Sequence, residues 1–226
     1  MLSVKFHKTI AKPFVERADR IEKNLAILKN LSQKSVQEIK ELEKKYNLVK
    51  EFSIPKIEAA TGYKFSNQNL FLFVFLYQEI NKVFKEAQEV PGESFEEFLI
   101  GKNFADMKEA SENRLTLAYI GDAALEIGVL PSIWPHSDVT AIPRNEILHN
   151  EREKLIKNEP LSRYWESLQL YDSTILIQPP NENSETKGSY MEAVFGIIYL
   201  ESGLEAVENA LKNVIQYYET KQVKEN

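Results

Sequence analysis

The chain has 226 residues, of which 43% are hydrophobic, and this content is enough for a folded core, so the composition excludes a disordered protein. It contains no cysteine, which excludes disulfides, thiolate zinc sites and cysteine nucleophiles. The formal net charge of -6 argues against a protein that holds nucleic acid through its overall field, so local lysines or a bound metal would have to contact any phosphate.

The longest apolar windows are shorter than a bilayer span, and the first residues lack the order of regions found in a secretory signal. The sequence therefore predicts a soluble, cytoplasmic protein. Residues 1–20 contain five lysines and arginines against two acids, which is a faint similarity to an organelle-targeting segment. The acids and the helical pattern favour ordinary folded structure there.

Residues 1–50 are predicted to form a hairpin of two amphipathic helices. Apolar residues recur at steps of three and four from Phe14 to Leu31. Ser35 and Glu38 then form a capping-box pattern before a second stripe of this kind. Because most amphipathic stripes face their own core, we expect this extension to pack on the main domain, with a hairpin that holds a partner helix as the alternative.

The rest of the chain is predicted to form one helical domain at 54–218, followed by a polar tail at 219–226. Capping residues, glycines and prolines divide this domain into successive helices. One of them holds Asp122, a charged helix follows Pro143, and two more lie on either side of Gly203. No segment shows convincing period-two alternation, so the sequence predicts an all-α fold.

Two of these helices are apolar runs that each contain one acid. Asp122 lies within 117–129, and Glu192 lies within 189–200. Because an uncompensated buried carboxylate is costly, we expect the two helices to meet in the centre of the domain and bring both acids into one dry cleft. Repulsion would raise one pKa or require a cation, usually a hard divalent metal. The alternative is a satisfied core acid at Asp122 and an incidental surface acid at Glu192.

Three segments, in this order, resemble the nuclease domain of the ribonuclease III family. The first, at 57–76, reads IEAATGYKFSNQNLFLFVFL and is similar to the family's opening helix, GY-x-F turn and second helix. The next, at 119–126, reads YIGDAALE and is similar to the signature helix. The last, at 187–207, reads KGSYMEAVFGIIYLESGLEAV and resembles the segment with the second acidic pair. The resemblance spans about 54–218 and implies an all-helical endonuclease domain.

The active site of this family usually has four acids, and two of them are missing here. Leu115 stands where other members have glutamate, and Ser189 stands where they have aspartate. The compact Mini-III branch, which lacks a double-stranded-RNA-binding domain, resembles the chain better. It shares LAYIGDA, found here at 117–123, a hydroxyl residue at Ser189 and a lysine at Lys187. We also expect this chain to lack such an RNA-binding module.

The resemblance implies a metal-dependent endoribonuclease that hydrolyses phosphodiester bonds in structured or double-stranded RNA. Asp122 and Glu192 are expected to bind Mg²⁺, with Mn²⁺ as a substitute, and the ion would activate water. Lys187 is expected to contact RNA phosphate, with a solvated loop lysine as the alternative. Glu126, one turn after Asp122, is expected to be solvated.

The family also implies a twofold homodimer in which two active sites face one duplex. A broad apolar stripe flanks Glu192 and is a candidate for part of the interface. Its members are Tyr190, Met191, Phe195, Ile198 and Tyr199.

Two other functions compete with the nuclease. The missing acids and the acidic net charge favour a catalytically weakened domain that binds RNA or serves assembly, for instance in a ribosome or a processing complex. A third hypothesis is a helical adaptor whose N-terminal hairpin recruits a partner.

Overall fold

The structure is a computed structural model that describes the chain in several stretches. These are residues 10–19, 22, 44–75, 110–134, 144–170 and 183–225. Every regular element within them is helical, which confirms the predicted all-α class. The capping box predicted at Ser35 and Glu38 lies outside the described residues, as does the turn of the predicted hairpin.

Helix α1 (residues 10–19) packs on the main domain. Ala18 is fully buried, and Phe14 and Val15 are partly buried against the core. The Asn69 amide donates to Asp19 Oδ1 at 3.0 Å and to Glu22 Oε2 at 2.8 Å, which fixes the end of this segment to the domain. The described part of the extension therefore packs as the amphipathic pattern predicts.

The next elements run directly into one another. Helix α2 (residues 44–48) continues as a π-helical turn at Val49–Ser53 and then as α3 at Ile54–Thr61. Gly62 ends α3 with a φ of 66°, in the left-handed region that glycine adopts without strain. A 3-10 turn at Gln68–Leu70 then leads into α4 at Phe71–Phe75.

Asn67 caps the start of this region. Its side chain accepts a hydrogen bond from the Asn69 backbone N–H. All five residues of α4 are buried, so this short helix lies in the core.

The second half of the described chain consists of six further helices. They are α5 (Ala110–Gly128), α6 (Leu130–Ile133), α7 (Asn145–Ile156), α8 (Asn158–Ser167), α9 (Ser184–Ser202) and α10 (Leu204–Glu225). Helix α9 is the central one, because nearly every side chain between Gly188 and Leu200 is buried against neighbouring helices. The most extensive packing joins α9 to α5 and α8.

Only one of the two acid-bearing helices is central, which corrects the prediction that both are. Helix α5 buries one face on α9 but exposes the other, where Leu115 is 55% and Tyr119 is 76% accessible. Apolar residues on several faces of α5 therefore do not all belong to the core.

The segment Glu112–Ile133 is long and apolar enough to cross a membrane by length and composition alone. This corrects the expectation that no apolar window reaches that length. The same segment contains α5, whose inner face packs on α9 and whose outer face carries Asp122 and Glu126. Packing within the domain accounts for part of its apolar content, since 39% of its most apolar window is buried.

Candidate active site

Helices α5 and α9 cross at two glycines with their backbones in direct contact. A Cβ atom built on Gly121 would lie 1.8 Å from the backbone oxygen of Glu192. A Cβ atom built on Gly196 would lie 2.1 Å from the backbone oxygen of Leu117. No side chain fits between the helices at either point, which accounts for glycine at both positions.

This crossing brings the two predicted acids to one cleft. Asp122 follows Gly121 on α5, Glu192 contributes the backbone oxygen at the contact, and both side chains line the same opening. The cleft has a volume of about 1410 Å³ and is formed by residues of α5, α7, α8 and α9. Its mouth is wide, so it offers room for an extended ligand rather than a small enclosed one.

The cleft is open to water, so the prediction of a dry cleft is wrong. Asp122 is exposed and Glu192 is partly buried. The reason is that Asp122 lies on the outer face of α5, together with Tyr119. A metal ion at this site would therefore keep water ligands, as Mg²⁺ usually does in proteins.

The pKa values of both carboxyl groups are raised, and different neighbours act on each. Burial, with the negative charge of Asp122 as the second cause, raises the pKa of Glu192 to about 7, and Arg114 opposes this shift. The pKa of Asp122 is raised chiefly by burial and then by Glu126, while Arg152 lowers it. Burial is the largest cause for both groups, and Glu192 is the less exposed of the two.

Other groups occupy the positions of the two missing acids. Leu115 lines the cleft as a half-exposed side chain. Ser189 also lines it, and its Oγ accepts a hydrogen bond of 2.8 Å from Nη1 of Arg114. The Arg114 guanidinium is buried and lies 5.1 Å from the centre of the Tyr190 ring. A cation therefore stands beside the position where the four-acid enzymes have aspartate.

Arg114 was not recognised from the sequence. The only available signal was a charged residue directly before Leu115 at the start of an apolar helix, and such residues are usually solvated. Its contact with Ser189 joins residues 75 positions apart.

Glu126 and Arg152 form a second pair that the sequence did not indicate. Both line the cleft, and Arg152 Nη1 donates to Glu126 Oε2 at 2.6 Å across α7 and α5. Arg152 Nη2 lies 3.3 Å from Nδ1 of His149. Glu126 is exposed, as the sequence predicts, and it forms this ion pair at the surface of the cleft.

Lys187 lies in an ion pair between helices. Its Nζ is 2.5 Å from Oε1 of Glu166 on α8, and its side chain is only 14% exposed. Asp122 and Glu192 line the cleft, whereas Lys187 does not. The predicted contact of Lys187 with RNA stays a prediction.

The apolar stripe beside Glu192 is core, which corrects its assignment as a possible interface. Tyr190, Met191, Phe195 and Ile198 are fully buried inside the protein, and Tyr199 is partly buried against the core. Tyr190 also stacks on Trp165 of α8, with ring centres 5.3 Å apart. These side chains hold α9 in place and are not available to a second subunit.

The residues in the cleft are compatible with a weakly held Mg²⁺ ion. The described parts of the chain contain no group of three or more His, Cys, Asp or Glu side chains arranged to share a metal. Asp122 and Glu192 nevertheless supply two hard oxygen ligands in a cleft that water enters. Magnesium in proteins is often held by one or two carboxylates, with water and substrate phosphate as its other ligands.

Comparison with known proteins finds a likeness for part of the chain. The family model described as Ribonuclease III domain matches residues 115–203. The match begins on α5 and ends just after α9, so it includes both cleft acids. No curated protein and no solved structure matches the chain significantly. Residues 115–203 are therefore similar to a ribonuclease III domain.

Proposed function

We propose that this protein is a metal-dependent endoribonuclease that hydrolyses phosphodiester bonds in structured or double-stranded RNA, and that it is of the compact Mini-III type. The observation that carries the proposal is that Asp122 and Glu192 line one open cleft, and both lie in the region that matches the ribonuclease III domain model. The resemblance at 57–76 and 187–207 supports the same assignment.

In this mechanism Asp122 and Glu192 would hold Mg²⁺ or Mn²⁺. A bound ion of this kind activates a water molecule and stabilises the leaving oxygen of the phosphodiester. Asp122 provides the carboxyl group at the exposed side of the cleft. Glu192 must release its proton before it can act as a ligand, because only the carboxylate offers oxygen lone pairs with full negative charge.

The protein's own contribution is a rigid placement of these two carboxylates. The backbone contact between Gly121 and Glu192 fixes the relative position of α5 and α9. With two protein ligands the ion would depend on water and RNA phosphate for the rest of its coordination. We therefore expect weak metal binding without RNA and slower turnover than in a four-acid site.

The test is cleavage of a perfectly paired RNA in the presence of Mg²⁺ or Mn²⁺. We expect the wild type to cut, and Asp122→Asn or Glu192→Gln to reduce the rate by at least about 100-fold, because each removes one of two ligands. Product formation is measured on denaturing gels. Glu185→Gln is the matched control, since this exposed carboxyl also lines the cleft, and its rate should stay near that of the wild type.

The second candidate is an RNA-binding or assembly protein that has lost cleavage. The observation that favours it is the Arg114 to Ser189 hydrogen bond, together with Leu115 in the place of an acid. Binding of the paired RNA without cutting at any metal concentration would establish this candidate. Failure to bind RNA would contradict both candidates.

We also propose that the protein forms a twofold homodimer, with the exposed apolar side of α5 in the interface. Leu115 and Tyr119 lie one helical turn apart beside the cleft, and Ile127 is 55% exposed further along the helix. Exposed apolar side chains grouped in this way are typical of a protein interface. Such an interface would place two clefts close enough to act on one duplex.

Tyr119→Glu is expected to shift the protein from dimer to monomer, because a carboxylate would be desolvated at the centre of the interface. Sedimentation velocity measures the change. Val223→Glu is the control, since Val223 is equally exposed, at 78%, but lies near the end of α10. A wild type that sediments as a monomer at all concentrations would contradict the proposed dimer.

A further inference from the structure

We infer that Arg152 is the phosphate-binding residue of the cleft, and that Glu126 holds its guanidinium until the RNA backbone replaces the carboxylate. This inference rests on the proposed function, because it names the group that receives the substrate at the same site. It identifies the contacted chemistry as the phosphodiester backbone of a paired RNA.

Arg152 lies at the wall of the cleft beside the proposed metal ligands. It lines the same cleft as Asp122 and Glu192, and its ion-pair partner Glu126 lies one helical turn after Asp122 on α5. Arg152 is therefore close to the carboxylate that would hold the metal. A phosphate bound by this guanidinium would lie beside the proposed hydrolytic centre.

Arg152 differs from the other cations of the cleft in where its ion-pair partner lies. Lys154, Lys157 and Arg163 line it too, but each forms an ion pair with an acid three or four residues away on its own face of α7 or α8. Arg152 instead reaches across to Glu126 on α5. Its side chain thus spans the opening between two walls of the cleft, where a ligand enters.

Phosphate can take the place of Glu126 on the Arg152 guanidinium. The observed contact with Glu126 is one hydrogen bond from Nη1, whereas the planar guanidinium can bind a phosphate through two. The pair is accessible to solvent, with side-chain exposures of 29% for Arg152 and 44% for Glu126. Ion pairs of this kind contribute little stability, so the loss of the contact with Glu126 costs little.

Replacement of Glu126 by phosphate also makes the positive charge of Arg152 available to RNA. In the absence of RNA, Glu126 neutralises Arg152 and keeps the positive charge from attracting other anions. When Arg152 turns to phosphate, the carboxylate of Glu126 is released into the water-filled part of the cleft. The protein thereby offers a cation to RNA although its net charge is -6.

A double-mutant cycle tests the inference. Binding of a short, perfectly paired RNA is measured by fluorescence anisotropy without divalent ions, over a series of salt concentrations, for the wild type, Arg152→Ala, Glu126→Gln and the double variant. We expect Arg152→Ala to weaken binding about tenfold and to make the salt dependence shallower by about one released ion. We expect Glu126→Gln to tighten binding severalfold, and to do so only when Arg152 is present.

The control pair is Lys212 and Glu208, which also form an ion pair of 2.6 Å but lie on α10 away from the cleft. Lys212→Ala and Glu208→Gln remove the same charges and should change binding less than twofold. Arg152→Lys keeps the charge but loses the planar guanidinium with its paired donors. It should therefore preserve the salt dependence of binding and still lower the affinity. Thermal melting of each variant confirms that it is folded.

The outcomes separate the inference from the proposed function. If the wild type binds RNA but Arg152→Ala matches Lys212→Ala, the inference is overturned and the nuclease proposal is unaffected. The inference is also overturned if Glu126→Gln tightens binding equally in the Arg152→Ala background, because that result indicates a general field effect. RNA that binds through Arg152 but is never cut with metal supports the inference and selects the second candidate function. A wild type without RNA binding overturns both.

Discussion

Gly121→Ala is expected to destabilise the protein by about 4 kcal/mol and to lower its Tm by on the order of 10 °C. In an ordinary helix the same substitution stabilises by up to about 1 kcal/mol, since alanine is the better helix former. Here the added methyl carbon would lie 1.8 Å from the backbone oxygen of Glu192, and that atom belongs to the main chain of a fully packed helix. The helices must therefore separate, which disturbs the core along their length.

Gly128→Ala is the matched control, because it lies at the end of the same helix. Its nearest neighbour would be a methyl carbon of Val207 at 3.2 Å, which moves more easily than a backbone atom. We expect a change within about 1 kcal/mol, measured for both variants by urea unfolding and thermal melting. Equal stabilities for the two variants would show that the crossing at Gly121 is not as tight as described.

Glu192→Gln is expected to make the protein more stable by about 3 kcal/mol at pH 8, even if it abolishes cleavage. Partial burial and Asp122 raise the pKa of Glu192 to about 7 from its ordinary value of 4.5. Each pH unit of such a shift corresponds to about 1.4 kcal/mol between the two protonation states. Glutamine has nearly the same shape and carries no charge, so it removes the cost of holding a carboxylate there.

The direction of the pH dependence follows from proton binding. Between pH 4.5 and 7 the folded state holds a proton on Glu192 that the unfolded state has lost, so the wild type loses stability as the pH rises through this window. The advantage of Glu192→Gln should therefore be largest above pH 7 and disappear near pH 4.5. Thermal melts of both proteins, without metal, measure it, and Glu185→Gln should show no such trend. A constant difference at all pH values would contradict the prediction.

Sequence patterns predicted the parts of this structure that depend on local periodicity and on steric size. The run at 189–200 is apolar on nearly every face, and the corresponding part of α9 is the buried centre of the domain. The close approach of this helix to α5 depends on the absence of a side chain at Gly121 and Gly196. The shared cleft of Asp122 and Glu192 follows from that contact, so it too was predicted correctly.

The sequence did not predict correctly which apolar helix faces other parts of the chain cover. Tyr119 and Tyr190 both belong to apolar helical runs, but the first is 76% exposed and the second is fully buried. Periodicity shows that a face is apolar without showing whether the same chain covers it. The interface was therefore assigned to α9, although the exposed apolar side belongs to α5.

Polar contacts between helices were also beyond sequence reasoning. The pairs Arg152 with Glu126 and Lys187 with Glu166 each join residues more than twenty positions apart. Their partners depend on the angle and register at which α7, α8 and α9 pack, and spacing along the chain does not encode either quantity. A lysine or arginine near an active-site helix is consequently a poor guide to substrate contact until the packing is known.

The crossing of α5 and α9 limits how far substitutions elsewhere in the cleft can move these two helices. Main-chain atoms, not side chains, set the separation between the two helices at Gly121 and Gly196. Substitutions along the rim of the opening, at positions such as Leu115 and Ser189, therefore need not displace Asp122 or Glu192. The chemistry of the opening can change through a few side chains while the scaffold beneath them persists unchanged.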